Sequence, residues 1–118
     1  MNNIIPFIIK RNDTLPALSI TIRTRGEMNE LLPYDLTDAD TVTFSMSDQY
    51  GNLKISSQSA QVTSASAGTI QYDWVTGDTD TEGTYNGEFE IIFNDSNKLS
   101  IPTLGSLDIK IVKDINAI

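Results

Sequence analysis

The 118-residue sequence contains no cysteine and no histidine. Without cysteine the chain has neither a disulfide framework nor a thiolate zinc site. Without histidine it has no imidazole that could act as a general base or activate a serine or threonine. The missing cysteines do not identify the redox compartment, because a β-sandwich needs no cross-link to be stable. Composition alone therefore excludes most familiar active-site chemistry.

Basic residues are also scarce, since eight lysines and arginines stand against sixteen aspartates and glutamates, a formal net charge of −8. Such a charge repels phosphate backbones and anionic membranes. No apolar run approaches the roughly 20 residues that a membrane helix requires. The apolar run near the N-terminus lacks the flanking regions of a signal peptide, so we interpret it as a strand. We expect a soluble protein that binds neither nucleic acid nor membrane.

The sequence is rich in alternating apolar and polar residues, the pattern of strands with one buried face. The alternating apolar sets are Leu18, Ile20 and Ile22; Val42, Phe44 and Met46; Ile70, Tyr72 and Trp74; Tyr85, Phe89, Ile91 and Phe93; and Leu107, Ile109 and Ile111. Shorter candidate strands cover 5–10, 52–56, 59–64 and 98–102. We place 59–64 at a sheet edge, because its serines and alanine can bury little surface.

Turn signals separate these strands. Residues 48–51 and 94–97 have the Asp, Asn and Gly content of hairpin turns. A helical turn is predicted over 27–32, in a connection long enough to cross between two sheets. Together the patterns predict one domain, residues 1–118, folded as an all-β, antiparallel immunoglobulin-like β-sandwich of about eight strands. Trp74 and Tyr85 are expected in its core.

The stretch DTDTEG, residues 78–83, could open a calcium loop. Its matching positions are the possible ligands Asp78, Asp80 and Glu82 and the glycine Gly83. The position that should supply a bidentate glutamate is Phe89, on an apolar strand face, while Glu88 and Glu90 point to the opposite face. The sequence therefore favours an acidic turn, keeps Asp78, Asp80 and Glu82 as the one candidate metal site, and predicts no cofactor.

Nothing in the sequence indicates an enzyme. Glu88 and Glu90 share one face of a strand, but that face is predicted to be solvated, whereas a pair of catalytic carboxylates needs a cleft. No nucleophile elbow and no glycine-rich phosphate loop occurs.

Charge is unevenly distributed along the chain. Half of the positive charge lies in the first 25 residues, at Lys10, Arg11, Arg23 and Arg25, whereas 73–90 is acidic. This asymmetry has two interpretations, a solvated surface or a head-to-tail contact between copies of the chain or neighbours in an assembly.

Several short motifs occur in a definite order along the chain. They are IKRNDTLP at 9–16, YDLT at 34–37, VTFSM at 42–46, TIQYDW at 69–74, DT at 78–79 and GTY at 83–85. In this order they resemble the immunoglobulin-like domain at the N-terminus of baseplate upper proteins of phages that infect Gram-positive bacteria, and of related small phage virion proteins. The resemblance covers nearly the whole chain.

The resemblance implies a non-enzymatic structural protein of a bacteriophage virion, assembled in the host cytoplasm. Such a protein would dock onto other virion proteins of the tail, baseplate, neck or head fibre attachment, in multiple copies or as a homo-oligomer. Baseplate upper proteins continue beyond this domain, whereas this chain stops at Ile118. The expectation is therefore an adaptor, decoration or anchoring subunit.

Scaffold roles can be given to the motif residues. Asp13 and Asp78 are expected to cap turns, Leu36 to plug an open end of the sandwich, and Gly83 to allow Tyr85 to begin its strand beneath the loop.

The predicted docking element is the apolar N-terminal segment with Ile4, Ile5 and Phe7, which could lie inside the sandwich or add a strand to a partner's sheet edge. Two alternatives remain. One is a carbohydrate-binding or adhesive module that contacts the host surface and places an exposed Trp74 or Tyr50 against sugar rings. The other is a calcium-dependent domain that uses the 78–83 loop.

Overall fold

The computed structural model describes residues 6–102 and 105–115, and all regular secondary structure in these ranges is β-strand. The strands are β1 (Phe7–Lys10), β2 (Leu18–Thr21), β3 (Arg23–Arg25), β4 (Leu31–Pro33), β5 (Ala39–Asp48), β6 (Leu53–Ser59), β7 (Gln61–Ser64), β8 (Thr69–Tyr72), β9 (Gly83–Phe93), β10 (Lys98–Ile101) and β11 (Leu107–Val112). The predicted all-β, immunoglobulin-like sandwich is confirmed. The described residues form eleven strands instead of about eight, and two of the additional ones are β3 and β4.

The larger sheet is built around β9. Its strand order is β1-β11-β9-β5-β6, and β10 also pairs with β9. The first half of β9 pairs with β11 and its second half with β10, while β5 runs antiparallel along its other side. β1 pairs with β11 in parallel at the sheet edge. All other strand pairs of this sheet are antiparallel.

The second layer is a three-stranded sheet of order β2-β8-β7. The chain crosses between the two sheets at Ala60, whose N–H donates to the carbonyl of Val42 at 2.8 Å. β7 lies at the edge of this layer, as predicted for 59–64 from its serine and alanine content.

The predicted helical turn over 27–32 is wrong, because these residues belong to the hairpin of β3 and β4. Gly26 N–H donates to the Glu30 carbonyl at 2.8 Å, and Asn29 N–H donates to the Gly26 carbonyl at 3.0 Å. Asn29 adopts a φ of 66°, a left-handed conformation that asparagine tolerates in tight turns. The chain therefore reverses within one turn and continues as β4.

The two predicted hairpin turns are confirmed. Asp48 Oδ1 accepts hydrogen bonds from the N–H groups of Tyr50 and Asn52, both at 2.9 Å. The hydrogen bonds from Asn52 are the first cause of the lowered pKa of Asp48. In the second turn, Phe93 N–H donates to the carbonyl of Asn97 at 2.8 Å. In both turns an aspartate side chain also accepts hydrogen bonds from backbone N–H groups of the turn.

The hydrophobic core lies between the two sheets and has an aromatic centre. The fully buried ring of Phe44 stacks on Tyr72 with the ring centroids 4.7 Å apart, and it meets Trp74 edge-on at 5.9 Å. Phe89 lies 4.9 Å away on the neighbouring strand. Trp74 and Tyr85 are both buried, as predicted. The alternating apolar positions of the sequence thus meet in one core.

We predict that Phe44→Ala lowers the free energy of unfolding by about 3–5 kcal/mol, because it removes the ring that three other aromatic side chains contact. Tyr50→Ala is the matched control, since Tyr50 is 81% exposed, and it should change stability by no more than about 0.5 kcal/mol. Urea unfolding followed by tryptophan fluorescence measures both. A loss for Phe44→Ala as small as that of the control would contradict the placement of this ring.

Candidate functional site

Residues 12–16 and 75–82 form two loops that meet at one end of the sandwich, here called the closed end. Within it, Asp78 Oδ2 accepts hydrogen bonds from the Tyr72 hydroxyl at 2.7 Å and from the Val75 N–H at 2.8 Å. Burial of Tyr72 and, after it, the hydrogen bond to Asp78 raise the pKa of the phenol well above its ordinary value. Asp78 is therefore an internal acceptor that caps the turn, as expected.

A second set of hydrogen bonds joins the two loops to each other. Thr79 is buried, and its hydroxyl donates to the carbonyl of Asp13 at 2.8 Å. In the other direction, the N–H of Asn12 donates a hydrogen bond to the carbonyl of Thr79 at 2.9 Å. The indole N–H of Trp74 donates to the carbonyl of Pro16 at 3.1 Å. The motifs at 9–16, 69–74 and 78–79 are therefore parts of one network, in which Asp13 contributes its backbone.

The candidate calcium ligands do not converge. Asp78 faces inward, whereas Asp80 pairs with Lys54 and also accepts from the Thr81 hydroxyl at 2.9 Å. The hydrogen bond from Lys54 is the main cause of the lowered pKa of Asp80. Glu82 is exposed to solvent. Among the residues that the structure describes, no group of three or more acidic side chains is placed to hold a metal ion. The geometry favours an acidic turn.

The predicted N-terminal docking segment is only partly described. Ile4 and Ile5 lie outside the described residues. Phe7 begins β1 and is half-buried, and its ring centroid lies 5.8 Å from that of Trp74. Ile8 points to the other side of the strand and is 54% exposed. Phe7 therefore packs against the chain's own core, and Ile8 is the apolar residue that β1 presents outward.

The four early basic residues do not form one patch. Arg11 N–H donates to the carbonyl of Val112 at 2.8 Å, and the adjacent residue 12 bonds Thr79 at the closed end. Arg23 and Arg25 lie in β3, beyond the opposite end of β8. The short strand β2 separates the two pairs. A single positive patch spanning all four residues is therefore excluded by the fold.

The aromatic residues considered for sugar binding differ in exposure. Trp74 is buried, with its indole N–H bound inside the closed end. Tyr50 is exposed in the turn between β5 and β6, and its hydroxyl accepts from the Gln49 side-chain amide at 3.2 Å. Of the two, only Tyr50 could contact a sugar ring from solvent.

The sequence did not reveal an open groove at the other end of the sandwich, the hairpin end, where β3–β4, residues 34–38 and residues 93–97 lie. This acidic groove has a volume of about 370 Å³. Tyr34 and Phe93 form its apolar wall, with ring centroids 6.3 Å apart. The exposed carboxylates of Asp35, Asp38 and Asp95 line it. No local motif marks the groove, because its aspartates come from two distant segments.

Two of the three groove aspartates are held by their own turns. Asp35 Oδ1 accepts from the hydroxyl of Thr37 at 2.6 Å and from its N–H at 2.9 Å, and these bonds lower the pKa of Asp35. Asp95 accepts from the N–H of Asn97 at 3.0 Å. Leu36 is buried beside them, as expected for a plug of this end. The groove thus presents fixed negative charge beside an apolar wall.

Known proteins resemble this chain in fold alone. No family model matches the sequence, and no curated protein matches it. Among solved structures, the chain is similar to CopC from Methylosinus trichosporium OB3b, with a TM-score of 0.54. The two share 11% sequence identity over 96% of this chain and 89% of that one. Similarity at this identity shows a shared β-sandwich and carries no function from one chain to the other.

Across residues 6–102 and 105–115, no helix has the length and apolar character needed to cross a membrane.

We predict that Asp78→Ala lowers the free energy of unfolding by about 1–3 kcal/mol, because the Tyr72 hydroxyl and the Val75 N–H both lose their acceptor. The control is Asp80→Ala, which removes an exposed carboxylate from the same loop. It should lower the free energy of unfolding clearly less than Asp78→Ala does. Chemical denaturation of both variants measures the difference. Equal losses would contradict the internal role of Asp78.

We also predict that stability declines at alkaline pH. The pKa of Tyr72 is raised in the folded state, so its stabilising effect is complete below the ordinary value of 10.0 and is lost as the pH rises above it. Tyr72→Phe should weaken this alkaline decline, whereas Tyr50→Phe should leave it unchanged. Unfolding free energies between pH 8 and pH 11 test this, and parallel curves for all three proteins would refute it.

Proposed function

We propose that this chain is a non-enzymatic structural protein of a bacteriophage virion, which acts as an adaptor or decoration module by docking onto neighbouring virion proteins. The tail, baseplate, neck and head fibre attachment are the virion components in which such a module would serve. It is proposed to act in multiple copies in the virion.

The observation that carries this proposal is the hydrogen-bond network of the closed end. The motifs that resemble the phage domain are distant in sequence, yet Thr79 bonds Asp13, Trp74 bonds Pro16 and Asp78 bonds Tyr72. Motifs this far apart in the sequence are expected to occur together in one chain if all of them hold the same scaffold in place. The resemblance therefore involves the interior of a rigid module, which leaves its outer surfaces to recognise partners.

The acidic side chains considered for catalysis support the same proposal. Glu88 and Glu90 lie on the outward face of β9, opposite the residues that form the core. Glu90 Oε2 lies 3.5 Å from Lys98 Nζ, an exposed pair on the sheet surface. Glu88 borders a shallow pocket that Glu90 does not line, so the two carboxylates do not face one cleft as a general acid–base pair would.

Repetition would provide the affinity of such a module. A symmetric particle presents many equivalent sites, so each later contact forms at high effective concentration once the first has formed. Modest contacts through loops and strand edges would then hold the module in place without a large interface for each copy.

A carbohydrate-binding or adhesive role is the second candidate, and the exposure of Tyr50 favours it. A ring that stands free of the sandwich could stack on a sugar of the host surface. This role requires binding to cell-wall polysaccharide that Tyr50→Ala abolishes, whereas the docking role requires incorporation into particles that Tyr50→Ala leaves intact.

Particle incorporation tests the proposed function. We expect the tagged chain to be present in stoichiometric amounts in purified particles, seen by immunoelectron microscopy and quantified by mass spectrometry. Removing residues 1–5, which include Ile4 and Ile5, should reduce incorporation while leaving β1 complete. A second variant has serine at positions 4 and 5 and keeps Phe7 and the rest of β1. Because it keeps the length of the N-terminal segment, it distinguishes the effect of apolar contact from the effect of shortening the chain. Absence of the chain from particles would overturn the proposal.

A further inference from the structure

The hairpin of β3 and β4 extends from the sandwich without packing into either sheet. Within the described part of the chain, these two strands pair only with each other. At the base, Ile22 N–H donates to the Gly68 carbonyl at 2.7 Å, and Tyr34 N–H donates to the Ile22 carbonyl at 2.9 Å. An isolated two-stranded hairpin is marginally stable in water. The hairpin would therefore gain stability from a surface that covers it.

One face of the hairpin combines positive charge with apolar surface. Arg23 pairs with Pro33 and Arg25 pairs with Leu31, and directly paired residues in antiparallel strands share a face. Leu31 is 56% exposed. The Nη1 of Arg25 donates to the carbonyl of Asn29 at 2.9 Å, which orients this guanidinium. We call this surface, formed by Arg23, Arg25, Leu31 and Pro33, the arginine face.

Neither charge of the arginine face is neutralised by a carboxylate of the described residues. In residues 6–102 and 105–115, neither Arg23 nor Arg25 forms an ion pair with a carboxylate. A guanidinium presents several N–H donors in a planar fork that matches a carboxylate. The arginine face is thus suited to a partner that offers carboxylates beside an apolar surface.

The acidic groove has this complementary chemistry. Its carboxylates, from Asp35, Asp38 and Asp95, form no ion pair with a basic side chain of the described residues. Lys98 lies at the groove, but its nearest carboxylate is that of Glu90 on the sheet surface. The groove is open to solvent and the hairpin pairs with neither sheet, so both surfaces are accessible to a second molecule.

The hairpin and the groove lie at the same end of the molecule, where residue 34 leads from β4 directly into the groove. A two-fold axis near this end would place the hairpin of one copy at the groove of another, and the same contact would then be made twice. We propose that the chain forms a symmetric dimer in which the arginine face of each hairpin occupies the acidic groove of the second copy. Leu31 would then pack against the wall formed by Tyr34 and Phe93.

This dimer deepens the proposed docking function, since it names a second copy of the chain as one partner. Its test uses purified protein alone. Failure of the dimer therefore leaves particle incorporation to be decided separately, and absence from particles does not affect the result in solution.

The dimer is tested with variants that reverse the charge of one surface or the other, and sedimentation over a range of protein concentrations measures their association. The hairpin variant carries Arg23→Glu and Arg25→Glu, and the groove variant carries Asp38→Lys and Asp95→Lys. Each variant alone should be monomeric, with a dimer dissociation constant raised about tenfold or more, because like charges then face each other. Mixed in equal amounts they should form a heterodimer, since both of its contacts again join opposite charges.

Matched controls separate this contact from general charge effects. Lys110→Glu with Lys113→Glu makes the same change in net charge as the hairpin variant, at exposed positions in β11 and just after it, and this protein should remain dimeric. Melting curves verify that every variant is folded. The wild-type dimer should weaken as salt increases. A monomeric wild type, a groove variant that stays dimeric, or a mixture that remains monomeric would each overturn the proposal.

Discussion

The structure depends on one constraint, that the polar atoms of large aromatic side chains in a thin core must find partners there. Tyr72, Trp74 and Tyr85 fill the space between the sheets, and each carries a donor that burial would otherwise leave unsatisfied. Asp78, the carbonyl of Pro16 and the carbonyl of residue 81 accept these donors. The loops at the closed end are held in place because they supply these acceptors.

This constraint divides the molecule into two ends with different properties. At the closed end, the polar groups of both loops are largely used to satisfy the core and each other. At the hairpin end, the two arginines of β3 and the aspartates of the groove are free of ion pairs within the described residues. Charged groups without an internal counterion are available to pair with the charges of a partner, and at the hairpin end these groups support the proposed dimer.

The similarity to CopC adds to the description of the fold and to nothing else. Sandwiches of this architecture support unrelated functions, because the sheets supply a rigid body and the loops supply the sites. The motif residues that resemble the phage domain are mostly internal and hold the scaffold together. In the proposed role, recognition of virion partners therefore falls to the outer surfaces.

The sequence by itself determined the strands with a buried face, because the period-two pattern around Phe44 or Phe89 is local. It missed the β3–β4 hairpin, whose residues are exposed on both faces and leave no alternation to detect. Only the tertiary structure decided that Asp38 and Asp95 line one groove, where Asn94 N–H donates to the carbonyl of residue 38 at 2.9 Å. Periodicity reports which side of a strand faces the core, whereas contacts between distant loops depend on how the sheets pair and cross.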